Sequence, residues 1–408
     1  MNEARCPSRT IHATAWIETS TSKLIAEGIL KIGDGYRAKN EEFAADGILF
    51  ARAGNIKNGF QFSGADLLPS RYLTIVGDKV SQPGDTVFTS KGTVGRFAFV
   101  QSHTNRFIYS PQLCFWRSLN LNKVVPRYLY YWMHGSEFLG QVEGTKGQTD
   151  MAEYVNLADQ RKMRITLPPV EEQQAVASVL SHLDEKIDLL HCQNKTLEAM
   201  AEALFRHWFV EGTAENWEER PLSSIASFLN GLACQKYPPE NDLEKLPVLK
   251  IRELSSGITE TSDWATSHVK PDYLVAAGDV IFAWSASLMV KLWDGAMCVL
   301  NQHLFKVTSK DFPKWFYLMW CKHHLAEFIA ISSSHATTMG HIRRGDLDAV
   351  MVLVPPPLEL DTMSVQMMPL LEKQIENNRQ RKTLEKLRDD LLPKLMSGEV
   401  RVLIQAAA

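Results

Sequence analysis

The sequence has no long hydrophobic run: nowhere do about 18 uncharged apolar residues follow one another, so no membrane span is expected. It is poor in cysteine. The six present (Cys6, Cys114, Cys192, Cys234, Cys298 and Cys321) are scattered over 408 residues without a CxxC pair. That spacing argues against a disulfide framework and against a structural zinc site. Cys321 with His323 and His324 comes nearest to a metal cluster, but adjacent histidines on a helix point to different faces, and no metal is expected. The first 21 residues lack the basic-then-apolar pattern of a secretory signal, so a cytoplasmic location is expected.

Catalytic signatures are missing too. There is no GxxxxGK[ST] loop for ATP hydrolysis, and Gly33-Asp34-Gly35 is too short for a dinucleotide fingerprint. No GxSxG, no HExxH and no N-P-P-aromatic tetrad of an adenine methyltransferase occurs. No catalytic residue is assigned, and no cofactor is expected in this chain. A carboxylate–lysine nuclease cluster leaves little sequence trace, so that class stays open.

The net charge of −3 counts against a nucleic-acid partner. Its distribution is uneven. Residues 1–167 hold 20 Lys and Arg against 15 Asp and Glu, residues 168–214 hold 3 against 8, residues 215–354 hold 13 against 16, and the rest balance at 8 each. The first section can present a basic face to phosphates; the third can do so only by local clustering.

What the chain has in abundance is itself. LPPVEEQ from Leu167 recurs as VPPPLEL from Val354, and Glu171 and Glu359 match at a spacing of 188. Thr149-Asp150-Met151 lines up with Thr337-Thr338-Met339 at 188, and Pro126-Arg127-Tyr128-Leu129-Tyr130 with Pro313-Lys314-Trp315-Phe316-Tyr317 at 187. Pro83-Gly84-Asp85-Thr86-Val87-Phe88 matches Ala277-Gly278-Asp279-Val280-Ile281-Phe282 at 194, and Thr196-Leu197-Glu198 matches Thr383-Leu384-Glu385 at 187. Several matches in one order at nearly one spacing identify a duplication. Each half is a globular section followed by a long helix.

The first helix is expected over residues 171–209, entered through Pro168 and Pro169 with Glu171 and Glu172 at its first turn. Its apolar series is Val176, Leu180, Leu183, Ile187, Leu190, then Asn194, then Leu197, Ala201, Leu204 and Trp208. Steps of four and three alternate, which makes a heptad seam, and Asn194 sits in it as a register-fixing polar residue would. The second helix, residues 358–396, carries Met368, Leu371, Ile375, Asn378, Leu384, Leu387 and Leu391, with a slip of one residue after Asn378 and Gly398 as its stop. About 38 residues at 1.5 Å each is near 57 Å, longer than a small domain is wide, so the helices read as a spacer and are expected to pack on each other.

The globular sections read as strands broken by glycines, with short helices. Residues 47–53, 86–90 and 95–100 are expected strands in the first half; residues 246–251, 279–284 and 298–307 are their counterparts. Residues 125–140 and 312–331 read as aromatic-rich helices whose stripes Tyr128, Tyr131, Trp132 and Trp315, Leu318, Met319 are expected in the core.

The PP-x-x-EQ box at Pro168, the segment TLEAMAEALFRHWFV from Thr196 and the close LRDDLLPKLMSGE from Leu387 together resemble the specificity subunits of type I restriction–modification systems. The resemblance covers nearly the whole chain, although Leu360 stands where the second box usually has Gln. It implies an α+β chain of two mixed α/β target recognition domains, residues 1–167 and 213–355. An antiparallel two-helix coiled coil of residues 168–212 and 356–400 separates them, and residues 401–408 form a tail. It also implies a non-catalytic subunit reading a bipartite site on double-stranded DNA. Two methyltransferase subunits would bring S-adenosylmethionine and adenine-N6 methylation, and motor–nuclease subunits would bring ATP and magnesium.

Direct readout needs donors and acceptors on loops beside cationic phosphate anchors. The candidates in the first domain are Arg52, Asn55 and Lys57, then Lys91, Thr93 and Arg96 in a glycine hairpin, Gln112, and the loop of Lys146, Gln148 and Thr149. Their expected counterparts are Lys250 and Arg252, Ser285 and Ser287 with Lys291, Gln302, and a loop containing His335 and Thr338. Two other readings stay open on the sequence: an adaptor that never touches DNA, and a modification complex without a nuclease.

Overall fold

The computed structural model describes residues 16–57, 59–146, 154–334 and 340–402. The chain forms two compact units, one of residues 1–185 with 386–408, the other of residues 186–385. Each unit therefore owns a globular section and a part of both long helices.

In the first unit Ile17–Ser20 pairs antiparallel with Arg164–Leu167. A four-stranded antiparallel sheet runs in the order Leu30–Asp34, Leu113–Ser118, Thr86–Thr89, Phe97–Phe99. A second sheet sets Ile48–Ala51 between antiparallel Leu67–Leu68 and parallel Phe107–Tyr109. The second unit repeats this plan. Glu218–Pro221 pairs with Met351–Val354. Its four-stranded sheet is Ser227–Asn230, Leu304–Thr308, Val280–Ala283, Met289–Leu292. Its other sheet sets Lys245–Leu249 between antiparallel Trp264–Thr266 and parallel Cys298–Leu300, with Leu274–Val275 at the edge. The first unit keeps only a single bridge, Val80 to Ile108, in place of that edge strand.

The strands Thr86–Thr89 and Val280–Ala283 are buried on both faces because each serves two cores. Side chains alternate across a strand, so Phe88 joins the cluster of Trp116, Trp132 and Phe138 while Val87 joins that of Tyr109 and Phe115. Phe282 and Ile281 are divided in the same way. The turn before each strand explains the GD match. Gly84 and Gly278 have φ of 94° and 91°, the left-handed region open to glycine. Asp85 then accepts from the Gln82 N–H at 2.8 Å and pairs with Arg117 at 2.6 Å; Asp279 accepts from Ala276 at 2.9 Å and pairs with Lys306 at 2.9 Å. Each cation also donates to the chain at the sheet edge, Arg117 to the Val80 carbonyl and Lys306 to that of Leu274.

Some expected elements are subdivided. The strand expected at 298–307 is two, because the Leu304 N–H turns back to the Asn301 carbonyl at 3.0 Å. The aromatic helices are also pairs, Pro126–Trp132 with Ser136–Lys146 and Lys314–His323 with Leu325–Ser334. Gly135 lies at the first break, where a Cβ would stand 3.4 Å from the Met396 side chain. The stripes Tyr128, Tyr131, Trp132 and Trp315, Leu318, Met319 are all in the core.

The first long helix is Val170–Arg206, closed by a π-helical turn at His207–Glu211; the second is Pro357–Ser397, ended by Gly398 at φ 74°. The Pro169 and Pro356 carbonyls accept the first free N–H groups of each, from Glu172 and Gln173 and from Glu359 and Leu360. That register pairs Glu359 with Glu172 at a spacing of 187, correcting the match to Glu171. Each of these glutamates receives an indole N–H, from Trp16 at 3.2 Å and from Trp217 at 2.9 Å. Gln173 is buried and accepts from the Val125 N–H, while Leu360 at its place joins an apolar cluster.

The helices pack antiparallel within each unit. In the first, Asp184 meets Arg388 at 3.0 Å and Val176 and Leu180 share a core with Leu395 and Met396. In the second, the Asn194 amide donates to Asn378 at 2.8 Å and Ala201 lies by Leu371. Leu183, Ile187, Leu190, Leu197 and Leu204 are buried or half-buried. In the second helix Met368, Leu371, Ile375, Asn378, Leu384 and Leu391 are too, but Leu387 is 43% exposed and is not in the seam. The expected slip is absent. The inward positions run on as Leu371, Gln374, Asn377 with Asn378, Arg381, Leu384 with Glu385, Arg388, Leu391 with Leu392, and Leu395, and charged side chains share three of these places.

Candidate nucleic-acid interface

After the strand Ile48–Ala51 the chain turns sharply at Arg52. Asn55 makes that turn: its side-chain oxygen accepts the Arg52 N–H at 2.8 Å and its amide donates to the Gln61 carbonyl at 2.9 Å. The Arg52 guanidinium pairs with Asp66 at 2.6 Å and stays half exposed. The Ala53 N–H donates to the Gln112 side chain at 3.3 Å. The Gln112 carbonyl accepts from Ser90, and the Ser90 carbonyl accepts from Val155. Lys91 bridges to Tyr154, its ammonium 5.9 Å from the ring. Four chain segments thus meet at one corner, bringing Arg52, Asn55, Lys91 and Gln112 together. Thr93 and Arg96 are exposed on the adjoining hairpin, which Gly92 and Gly95 turn at positive φ, and Lys57 is exposed beside the Arg52 turn. Lys146 ends the helix Ser136–Lys146; Gln148 and Thr149 lie outside the described residues.

The second unit builds the same corner from other side chains. Lys250 occupies the place of Arg52 and pairs with Asp263 as Arg52 does with Asp66. The Trp284 N–H donates to the His303 carbonyl, and the Trp284 carbonyl accepts from Ile342. Ser285 bridges to His341, and its hydroxyl lies 3.1 Å from His303 Nδ1. Ala286, at φ 57°, stands where the first hairpin has Gly92.

This register makes His303, not Gln302, the counterpart of Gln112. Gln302 is its half-buried neighbour, with its amide 3.5 Å from His303 Nε2. Lys291 is turned to other work: from its strand the ammonium donates to the Leu254 and Ser255 carbonyls at 3.2 and 3.3 Å, tying down a helix end. Arg252 holds the buried Glu253 carboxylate and the Thr261 carbonyl. Burial alone would raise that carboxyl, but hydrogen bonds from Arg252 and Ser262 bring it below its ordinary range. Ser287 is exposed, and His335 and Thr338 lie outside the described residues. The side chains that sequence reasoning missed are Tyr154, Trp284, His303 and His341. Their signal was the repeat itself, but its spacing shifts between 187 and 201 within each domain, and only the backbone bonds fix which residue corresponds to which.

The arrangement offers hydrogen-bonding and aromatic groups around cationic anchors. Among the described residues, the one group of three with metal-ligand spacing is Glu240, Glu244 and His268, all exposed. Cys321 is fully buried, which pushes its thiol up to about 12, and His324 stacks on Trp320 and meets Glu327 at 2.9 Å. Among the described residues, no helix is long and apolar enough to cross a membrane.

The family model of the type I restriction modification DNA specificity domain matches the chain twice, at residues 27–199 and 214–386. The type I restriction enzyme MjaIX specificity subunit of Methanocaldococcus jannaschii is 28% identical over 313 residues, spanning 68% of this chain and 70% of that protein. The HindI specificity subunit of Haemophilus influenzae is 20% identical over 457 residues, spanning 90% and 98%. The type I restriction-modification S subunit structure from M. genitalium shares the fold, with a TM-score of 0.59 over 95% of this chain and 98% of that one at 13% identity. With the domain matched in both halves and the duplication carried down to single hydrogen bonds, the chain belongs to the type I restriction–modification DNA specificity family, as a specificity subunit with two recognition domains.

Proposed function

We infer that the chain reads a bipartite site on double-stranded DNA, one half with each domain, as the non-catalytic sequence-reading member of a cytoplasmic complex. Methyltransferase subunits dock on it and carry S-adenosylmethionine and adenine-N6 chemistry; motor–nuclease subunits add ATP- and magnesium-dependent cleavage. The observation that supports the reading is the pair of equivalent corners, each displaying donors and acceptors beside a half-exposed cation, Arg52 in one and Lys250 in the other. Phosphate contacts from such cations position a protein on the duplex, while neighbouring polar side chains read base edges.

Selection of bound duplexes from a randomised library by the full chain, alone and with a methyltransferase subunit, tests this. The expected result is two short defined elements separated by an undefined gap, with no methyl transfer or cleavage by the chain alone. Methylation from S-adenosylmethionine by the isolated chain would overturn it. The excess of acidic residues in 215–354, 16 against 13 basic, favours the adaptor alternative. Absence of any DNA shift, with or without the partner, would select it.

A further inference from the structure

The two domains are two copies of one scaffold, so comparing them separates what the fold requires from what each copy uses for itself. Where the scaffold imposes a demand, both copies answer alike. Asp85 and Asp279 each hold a cation from the neighbouring strand. Gly35 and Gly231 each lie where a Cβ would stand within 2.3 Å of a backbone carbonyl oxygen. At the corner the backbone bonds are likewise the same, from Ser90 to Gln112 in one copy and from Trp284 to His303 in the other. The side chains there differ: Gln112 in the first copy corresponds to His303 in the second, Lys91 to Ser285, and Tyr154 to His341.

The differing residues are polar or aromatic, and the structure holds them in place. The Gln112 side-chain oxygen is fixed by the Ala53 N–H, which leaves its amide hydrogens to donate elsewhere. The His303 ring is oriented through Nδ1 by the Ser285 hydroxyl at 3.1 Å. A glutamine presents a donor and an acceptor side by side, as adenine's edge requires; an imidazole held at Nδ1 has a single further nitrogen, Nε2. At His303 that nitrogen lies 3.5 Å from the Gln302 amide and would exchange that long contact for a base. Fixed groups of different pattern on one constant frame are what two readers of different bases need.

We propose that Gln112 and His303 are equivalent base-reading positions, one in each recognition domain, and that His303, oriented by Ser285, sets the base preference of the second. This rests on the split-site reading proposed above. The test is library selection with the full chain and its methyltransferase partner, comparing wild type with His303→Ala, His303→Gln and Gln112→His. His303→Ala should reduce discrimination at one or two positions of one half-site by roughly 5- to 100-fold. The other half-site and the gap should be unchanged. His303→Gln should shift the preferred base at those same positions, and Gln112→His should act only on the opposite half. If His303→Ala does not fold, His303→Gln carries the test, since the first domain already accommodates glutamine at that place. Wild-type preference at every position in folded, binding His303 variants would overturn the proposal and leave the split-site reading standing. A wild-type chain with no sequence preference in either half would overturn that reading itself.

Discussion

Asp85 is wholly enclosed, and its two oxygens are taken up by Arg117 at 2.6 and 2.7 Å, the Tyr109 hydroxyl at 2.7 Å and the Gln82 N–H. Removing one partner from such a pair strands the other charge without water, at about 3–5 kcal/mol. Arg117→Ala should therefore destabilise the first unit by that amount. Lys306→Ala in the second should cost no more than about 2 kcal/mol, because its pair is partly hydrated. Hydrogen exchange resolved by segment distinguishes the two. A second residue ties stability to pH. His134 lies between Phe97 and Tyr130, and burial lowers its affinity for a proton below the ordinary value. Its folded pKa is thus under the unfolded one. The unfolded chain binds the proton first, and stability falls as pH drops below about 6.5. His134→Phe, which keeps a ring there, should flatten that part of the dependence in the first unit's unfolding curve.

At the scale of elements, the seams show where sequence periodicity informs and where it misleads. In the first helix, Val176 through Ala201 could be read off directly, because apolar side chains fill the inward positions on either side of Asn194. The second helix looked slipped because the exposed Leu387 is apolar, while Arg381, Glu385 and Arg388 stand at inward places beside Leu384. Those charges have specific partners: Arg381 reaches Asp294 at 2.6 Å, and Arg388 reaches Asp184. A pattern that counts hydrophobic residues cannot see positions held by ion pairs, to the facing helix at Arg388 and to the globular section at Arg381. Leu371→Ala should cost about 2–5 kcal/mol and Leu387→Ala less than about 0.5 kcal/mol in denaturant titrations. The duplication was readable for a related reason. The GD turns and helix-entry prolines recur because the backbone demands them, whereas Gln112 and His303 share no identity that an alignment could hold.

Over the whole molecule, the spacer proposal links a helix length to a DNA length. Deleting residues 187–193 together with 379–385 keeps both seams in phase and shortens each helix by about 10 Å, the rise of about 3 base pairs. Library selection on such a variant should return the same two half-sites drawn closer by about that number. An unchanged gap in a folded, DNA-binding variant would show that the helices do not set the distance.

The composition of the first unit also bears on how the chain is made. Leu395 and Met396 belong to the same core as Trp116 and Trp132, and Arg401 binds Glu172 at 2.7 Å. A ribosome delivers those late residues only after every part of residues 186–385 has been synthesised. The first unit's core therefore stays incomplete until Leu395 and Met396 have been made, while the second unit, begun later, has all of its residues before then. A premature stop after residue 385 should leave the second unit protected and the first sensitive to protease. A lesion confined to residues 386–402 would then be felt in a domain more than 200 positions earlier in the chain.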